Sequence, residues 1–394
     1  MYHGSFTLVA TSGYTFDGTQ ITHLRRTMPY DVMKPLFYIT SDHLPPRIIG
    51  AFTLRCILHI GPHKTGSTSI QYFLRVREKE FFDLGYCIPR ISHMNMAELP
   101  YSFMSEIEKN RTSDRLGVSQ KNIKSKRIDF LKKYDQILGE AREKKFHSCI
   151  FTSENLAYFF QAQNASEDAS QLQHWLSQRF SEIIVVMFLR RQDLWSISDY
   201  KNRVKNHGQT KQDCLHHDTC IDWQHFLTVC AAAFGQENLR PVLFPDSVPE
   251  PCDLITDFCH AAGIESVGLY TPSEAGRFRR NATIDGRAIE LLRQMNEALP
   301  ERDHYGVSPL LRRLEAILIR EAPECFVRPS QSQVHAFLSG YHASNEVVRA
   351  MFFPNRPSLF SNDISYYPDR PQYPVYTPQE VARIMCRLIY STRT

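Results

Sequence analysis

The chain has 394 residues, and its 46 lysines and arginines against 42 aspartates and glutamates leave a formal charge of +4. So small and scattered an excess argues against a nucleic-acid binder, and no run reaches the ~18 apolar residues of a membrane span. The length holds two average domains or one α/β domain with insertions. Cys56, Cys149, Cys230 and Cys259 sit in apolar segments and read as small core residues.

Residues 1–50 mix Thr, Gly, Pro and Tyr without a helical period, with Leu44-Pro45-Pro46 near their end. They read as a weakly ordered extension before a domain over 51–394. Ile57 to Ile60 then predicts an apolar strand, followed by a turn punctuated by Gly61 and Gly66 and a hydroxyl-rich helix start at Ser67, Thr68 and Ser69. A strand that enters such a turn and then a helix presents backbone N–H groups and the positive end of a helix dipole at one point, which suits a phosphate-like anion. Gly61 and Gly66 have the separation of the nucleoside-triphosphate loop G-x-x-x-x-G-K-[ST], but Ser67 stands where the lysine belongs. The lysine, Lys64, lies two residues before the second glycine.

From Tyr101 to Lys145 the pattern is helical, and Ile128, Leu131, Tyr134, Ile137 and Leu138 recur at helical intervals. The span 86–147 is read as a helical insertion covering the cleft. A second strand, His147 to Thr152, ends in Ser153-Glu154-Asn155. Gln171 to Phe180 predicts a crossover helix, and Glu182 to Leu189 a buried strand bounded by Arg190-Arg191. A helix-like segment from Asp193 to Tyr200 follows, with Ser198 eight residues after Arg190. Asp222 to Phe234 reads as a helix, and Leu239 to Phe244 as a strand whose Pro241 suggests an edge.

This alternation predicts an α/β fold with a parallel sheet flanked by helices. The carboxyl ends of such strands line one crevice, so Lys64, Glu154 and Arg190 should face one cavity. Glu154 is then a candidate general base, with His63 its competitor. Glu154 could equally cap the helix that begins near Leu156, and Arg190 and Ser198 could be an exposed arginine and a helix-capping serine. The cluster Cys214 to Cys220 could ligate zinc or close a small disulfide loop, but an incidental surface loop explains it more simply. Cys252 to Gly263 and Ala288 to Leu299 read as further helices.

Lys64-Thr65-Gly66-Ser67-Thr68 resembles the K-[ST]-G-[ST]-T loop with which sulfotransferases hold the 5′-phosphosulfate of 3′-phosphoadenosine-5′-phosphosulfate (PAPS). The flanking Gly61-Pro62-His63 and Ser69-Ile70-Gln71 resemble the bacterial, carbohydrate-type branch. Arg190 and Ser198 have the separation of the arginine and serine that bind the 3′-phosphate in that family. The resemblance implies a P-loop-type, three-layer sulfotransferase fold. Lys64 would neutralise the bridging oxygen, Thr65, Gly66, Ser67 and Thr68 would hold the 5′-phosphate, and Arg190 and Ser198 the 3′-phosphate.

Asn281-Ala282-Thr283-Ile284 is similar to a helix start of the bacterial branch, and Arg277, Arg279 and Arg280 would reach the adenine or the 3′-phosphate. PAPS is the implied co-substrate, without a metal, and the acceptor a small molecule or glycan; neither nucleic acid nor an integral membrane segment is expected. The many Golgi-resident relatives carry an anchor that this N-terminus lacks, which favours a cytoplasmic, bacterial-like enzyme. The rival readings are a P-loop kinase or NTPase, and a non-catalytic nucleotide-binding protein on the same scaffold.

Overall fold

Three segments of this chain are apolar on successive residues rather than alternate ones, and a strand of that kind needs cover on both faces. The computed structural model describes residues 54–217, 220–245, 253–265, 268–278, 284–299, 309–318 and 325–391. The expected extension 1–50, Arg279, Arg280 and Asn281 to Thr283 lie outside the described residues.

With helices of nine or more residues numbered, the order is β1 (Arg55–Ile60), α1 (Ser67–Val76), β2 (Tyr86–Cys87), α2 (Ile123–Glu143), β3 (Ser148–Ser153), α3 (Ala165–Ser177), β4 (Glu182–Leu189), α4 (Gln192–Asn206), α5 (Trp223–Phe234) and β5 (Leu239–Leu243). Then follow α6 (Leu254–Ala262), α7 (Gly286–Ala298), α8 (Pro309–Leu318), α9 (Gln331–Ser339), α10 (His342–Phe352) and α11 (Pro378–Ser391). The strands form one five-stranded sheet in the order β2-β3-β1-β4-β5, and every pair in it is parallel.

Period-two alternation divides the buried strand residues between two layers of helix. Cys56, Leu58 and Ile60 of β1, Phe151 of β3, and Val185, Met187 and Leu189 of β4 pack with side chains of α2, α3 and α5. Ile57, Ile150, Ile184, Val186 and Phe188 pack on the other face with α1 and α6. A third cluster surrounds α4, where Ile197, Tyr200 and Val204 meet residues of α7, α8, α9 and α11. Each fully buried aliphatic or aromatic side chain contributes about 1.5–3 kcal/mol, against about 1 kcal/mol net for a loop hydrogen bond. Core packing therefore fixes where the strand ends lie, and loop contacts only trim them.

Several expectations need adjusting. The span 86–147 opens with Tyr86–Cys87 as an edge strand paired with Ser148 and Cys149, because two residues are too few to show a period. On α2 the buried row is Phe130, Tyr134, Leu138 and Ala141, while Ile128 is 67% exposed. Two residues of helix turn a side chain by roughly 200°, so Phe130 and Ile128 cannot share a face. The crossover expected over Gln171 to Phe180 begins earlier, at Ala165. Pro241 does lie on an edge strand, where its missing N–H breaks no ladder. No described helix is long and apolar enough to cross a membrane.

Candidate functional site

Because β1 lies between β3 and β4, with Ile60 level with Ser153 and Met187, the segments after these three strands emerge side by side. The first is the glycine-punctuated loop. Gly61 N–H donates to Ser153 O at 3.1 Å, and a Cβ on Gly61 would stand 2.6 Å from the Cβ of Ser67, so the loop closes only with glycine there. Gly66 has φ +85°, and a Cβ on it would meet Leu254 of α6 at 2.4 Å. Between them Lys64 is itself left-handed at φ 64°, a strained state for a non-glycine residue that clusters at functional sites. Thr65 is buried and donates its hydroxyl to Pro62 O at 2.6 Å, so its side chain braces the turn. Ser67 is buried and Thr68 exposed. No side chain caps α1 at Gly66, and the N–H groups that open a helix lie at the positive end of its dipole, so this terminus suits an anion.

The segment after β4 reaches back to that loop. Arg190 donates through Nη1 to Lys64 O at 2.6 Å, and its guanidinium lies 5.0 Å from the centre of the Phe244 ring. Two indoles clamp the pair of loops: Trp195 donates to His63 O at 2.7 Å and Trp223 to Arg190 O at 2.9 Å. Both tryptophans are buried, as is Tyr200, whose hydroxyl donates to Glu290 at 2.8 Å, so these aromatic groups are framework.

The segment after β3 supplies Glu154. Its backbone occupies the N-cap of the short helix Asn155–Phe159, yet its side chain makes no capping hydrogen bond. The carboxylate faces His63 instead, Oε2 to Nδ1 at 3.6 Å. The two residues that competed for one role in the sequence therefore form one pair. Burial would raise the Glu154 pKa, but the neighbouring His63, with Lys64 and Arg115, outweighs it and holds the carboxyl below its ordinary value. The His63 ring lies 4.4 Å from that of Tyr158, which is 57% exposed at the mouth of the crevice.

The Lys64 ammonium sits among these charges. Burial pulls its pKa down, Asp199 and then Glu154 pull it up, and Lys205 and Arg190 add to the fall. Ser198 is half-buried on α4. Lys201, one turn further along, feels Arg190 as its largest neighbouring charge, and burial with Arg190 pushes its pKa down to about 8. Ser198 and Lys201 share a helix face by their spacing. Arg277 is exposed and ion-paired with Glu274 at 3.5 Å.

Asp199 and Lys201 went unremarked in the sequence; Asp199 lies four residues after Trp195 within the segment read there as helix, and Lys201 one residue beyond that segment's end, inside the longer α4. In the Cys214 to Cys220 cluster, His216 is buried against Asp199, Ser196 and Arg203, whereas His217 faces Tyr341. Asp218 and Thr219 lie outside the described residues. Among the described residues, no group of three or more His, Cys, Asp or Glu side chains is arranged to hold a metal ion.

No family model matches the chain, and no curated protein matches it. Among solved structures, it is similar to a sulfotransferase from Alicyclobacillus acidocaldarius at 12% identity and a TM-score of 0.41, over 74% of this chain and 94% of that one.

Proposed function

We propose that this chain is a sulfotransferase that moves the sulfuryl group of PAPS to a hydroxyl or amine, with a carbohydrate or glycolipid as acceptor. The observation that carries the reading is the junction at Lys64. One residue lies in the loop that leads into the N-terminus of α1 and offers its carbonyl to Arg190, while the Glu154–His63 pair follows the neighbouring strand. Those are the components that in-line transfer of a diffusely charged group requires: anion-binding N–H groups, a cation at the leaving oxygen and a base for the acceptor.

In this reading the N-terminus of α1, with Thr65, Gly66, Ser67 and Thr68, holds the 5′-phosphate, and Arg190 with Ser198 holds the 3′-phosphate. The bond from sulfur to the bridging oxygen breaks, and Lys64 neutralises the charge left on that oxygen. The acceptor oxygen or nitrogen bonds to sulfur and passes its proton to Glu154. A carboxyl held below its ordinary pKa is ionised at neutral pH and able to accept that proton, and His63 keeps it turned toward the loop. Tyr158 offers an aromatic face at the mouth for a sugar ring. A cytoplasmic location belongs to the same proposal.

The test needs no knowledge of the acceptor. A ligand that binds only the folded protein adds RT ln(1 + [L]/Kd), or about 2.7 kcal/mol at a hundredfold excess. Adenosine 3′,5′-bisphosphate should raise the melting temperature by several degrees without metal, and ATP with magnesium much less. A larger shift with ATP and magnesium overturns the reading in favour of a P-loop kinase or NTPase. Binding without transfer across a broad acceptor panel would mark a non-catalytic nucleotide-binding protein.

A further inference from the structure

Asp199 lies on the side of α4 that meets the Lys64 loop. Trp195, four residues earlier and hence on the same helix face, is hydrogen-bonded to His63 O at 2.7 Å. The Asp199 carboxylate is held from behind. His216 Nε2 at 3.3 Å and Arg203 Nε at 3.4 Å both approach its Oδ2. Arg203 Nη2 is also 2.7 Å from His216 Nδ1, and a guanidinium can only donate. His216 Nδ1 is therefore the acceptor, and the ring proton sits on Nε2, directed at Asp199. The backbone N–H of His216 donates to Ser196 Oγ at 3.1 Å, and both residues are buried.

Two side chains, His216 and Arg203, thus fix one oxygen of the Asp199 carboxylate, Ser196 in turn holds His216, and the carboxylate makes no ion pair with the Lys64 ammonium inside 4.0 Å. A direct ion pair would occupy the ammonium and compete with an incoming anion. A carboxylate tethered at Oδ2 cannot swing forward to do so, yet still favours the charged amine through space. We propose that Asp199, braced by His216, Arg203 and Ser196, is a positioning residue that keeps Lys64 charged and open to an anionic ligand. The part this ammonium plays in sulfuryl transfer rests on the function proposed above; the coupling between Asp199 and Lys64 does not.

The charges that act on Lys64 are those of Asp199 and Lys205 on α4, Glu154 after β3 and Arg190 after β4; the further titratable groups are His207 at the end of α4 and His63, its neighbour in the loop. Of the neighbouring charges, Asp199 has the largest influence on Lys64.

The experiment is acylation of the full chain by an amine-reactive succinimidyl acetate over a range of pH, with Lys64 followed by peptide mass spectrometry. Asp199→Asn should lower the Lys64 midpoint by roughly one pH unit, the scale of a neighbouring opposite charge. His216→Ala, which releases the carboxylate to close on Nζ, should raise the midpoint above wild type, and His216→Gln, which keeps an N–H donor, should restore it. A Lys64 midpoint unchanged in Asp199→Asn overturns the proposal. If that variant does not fold, a midpoint unmoved by His216→Ala overturns it instead. The labelling uses neither donor nor acceptor, so its failure is separate from failure of the bisphosphate to shift melting of the wild-type protein.

Discussion

The guanidinium of Arg190 donates to the main-chain carbonyl of Lys64 at 2.6 Å, across 126 residues of sequence. The bond ties the loop after β4 to the loop after β1 at the residue whose backbone is left-handed, and it uses one arm of a permanently charged fork. Two candidate anion sites are thereby joined, and a change in either should be felt in the other.

Lys64→Ala should lower turnover by ~10² to 10³ while the far-ultraviolet circular dichroism stays that of the wild type, since one preorganised charge is removed from a transition-state clamp. Turnover within a few-fold of wild type contradicts the role given to Lys64.

For Glu154→Gln the expectation is a fall of ~10² or more in turnover, with bisphosphate affinity nearly unchanged. The carboxyl has a folded pKa below its unfolded one, so its contribution to stability is present above the unfolded value and is lost as pH falls through the folded value. A melting profile in acid that is the same for Glu154→Gln and wild type rules out that contribution. Turnover that survives while stability drops would return Glu154 to a structural role.

Trp195→Phe keeps an aromatic ring in the core but deletes the donor to His63 O, leaving that carbonyl without its indole partner. The cost should be about 1–3 kcal/mol in denaturant unfolding, the range for an unsatisfied buried group. Bisphosphate affinity should fall as well, because the loop loses its clamp. Loss of stability with full affinity would show that the indole serves the core alone.

Lys201→Met should raise the melting temperature of the unliganded protein at neutral pH, because it removes a charge that burial and Arg190 disfavour. The sign follows from the depressed pKa: between about 8 in the folded chain and 10.5 in the unfolded one, the unfolded state binds more protons, so this lysine makes stability rise with pH. The variant should flatten that rise and shrink the melting shift given by adenosine 3′,5′-bisphosphate, since Lys201 shares a helix face with Ser198. An undiminished shift would exclude Lys201 from the proposed 3′-phosphate site.

The strand at Glu182 to Leu189 and the loop from Gly61 to Gly66 were legible as written, since unbroken apolar runs and glycine spacing are local signals. Edge strand β2 was not, being two residues long, and the exposed Ile128 shows that a run of helical intervals does not by itself say which row faces inward. The pairing of His63 with Glu154 and the bracing of Asp199 by His216 join residues that follow different strands or lie on different segments, and nothing in their spacing announces them. The Asp199–Arg203 pair differs, since it lies at i,i+4 on α4, a spacing the sequence displays.

By itself the sequence determined that a glycine-punctuated turn would form before a helix at Ser67, because glycine's conformational freedom and the start of a helix depend on neighbouring residues alone. Which charges face Lys64 was decided only by the tertiary structure. The order β3-β1-β4 sets Glu154 and Arg190 on either side of the loop, and the packing of α4 through Trp195 brings Asp199 to it. Electrostatic partnership depends on distance through space, and the sheet order that sets those distances is a property of the whole packed core.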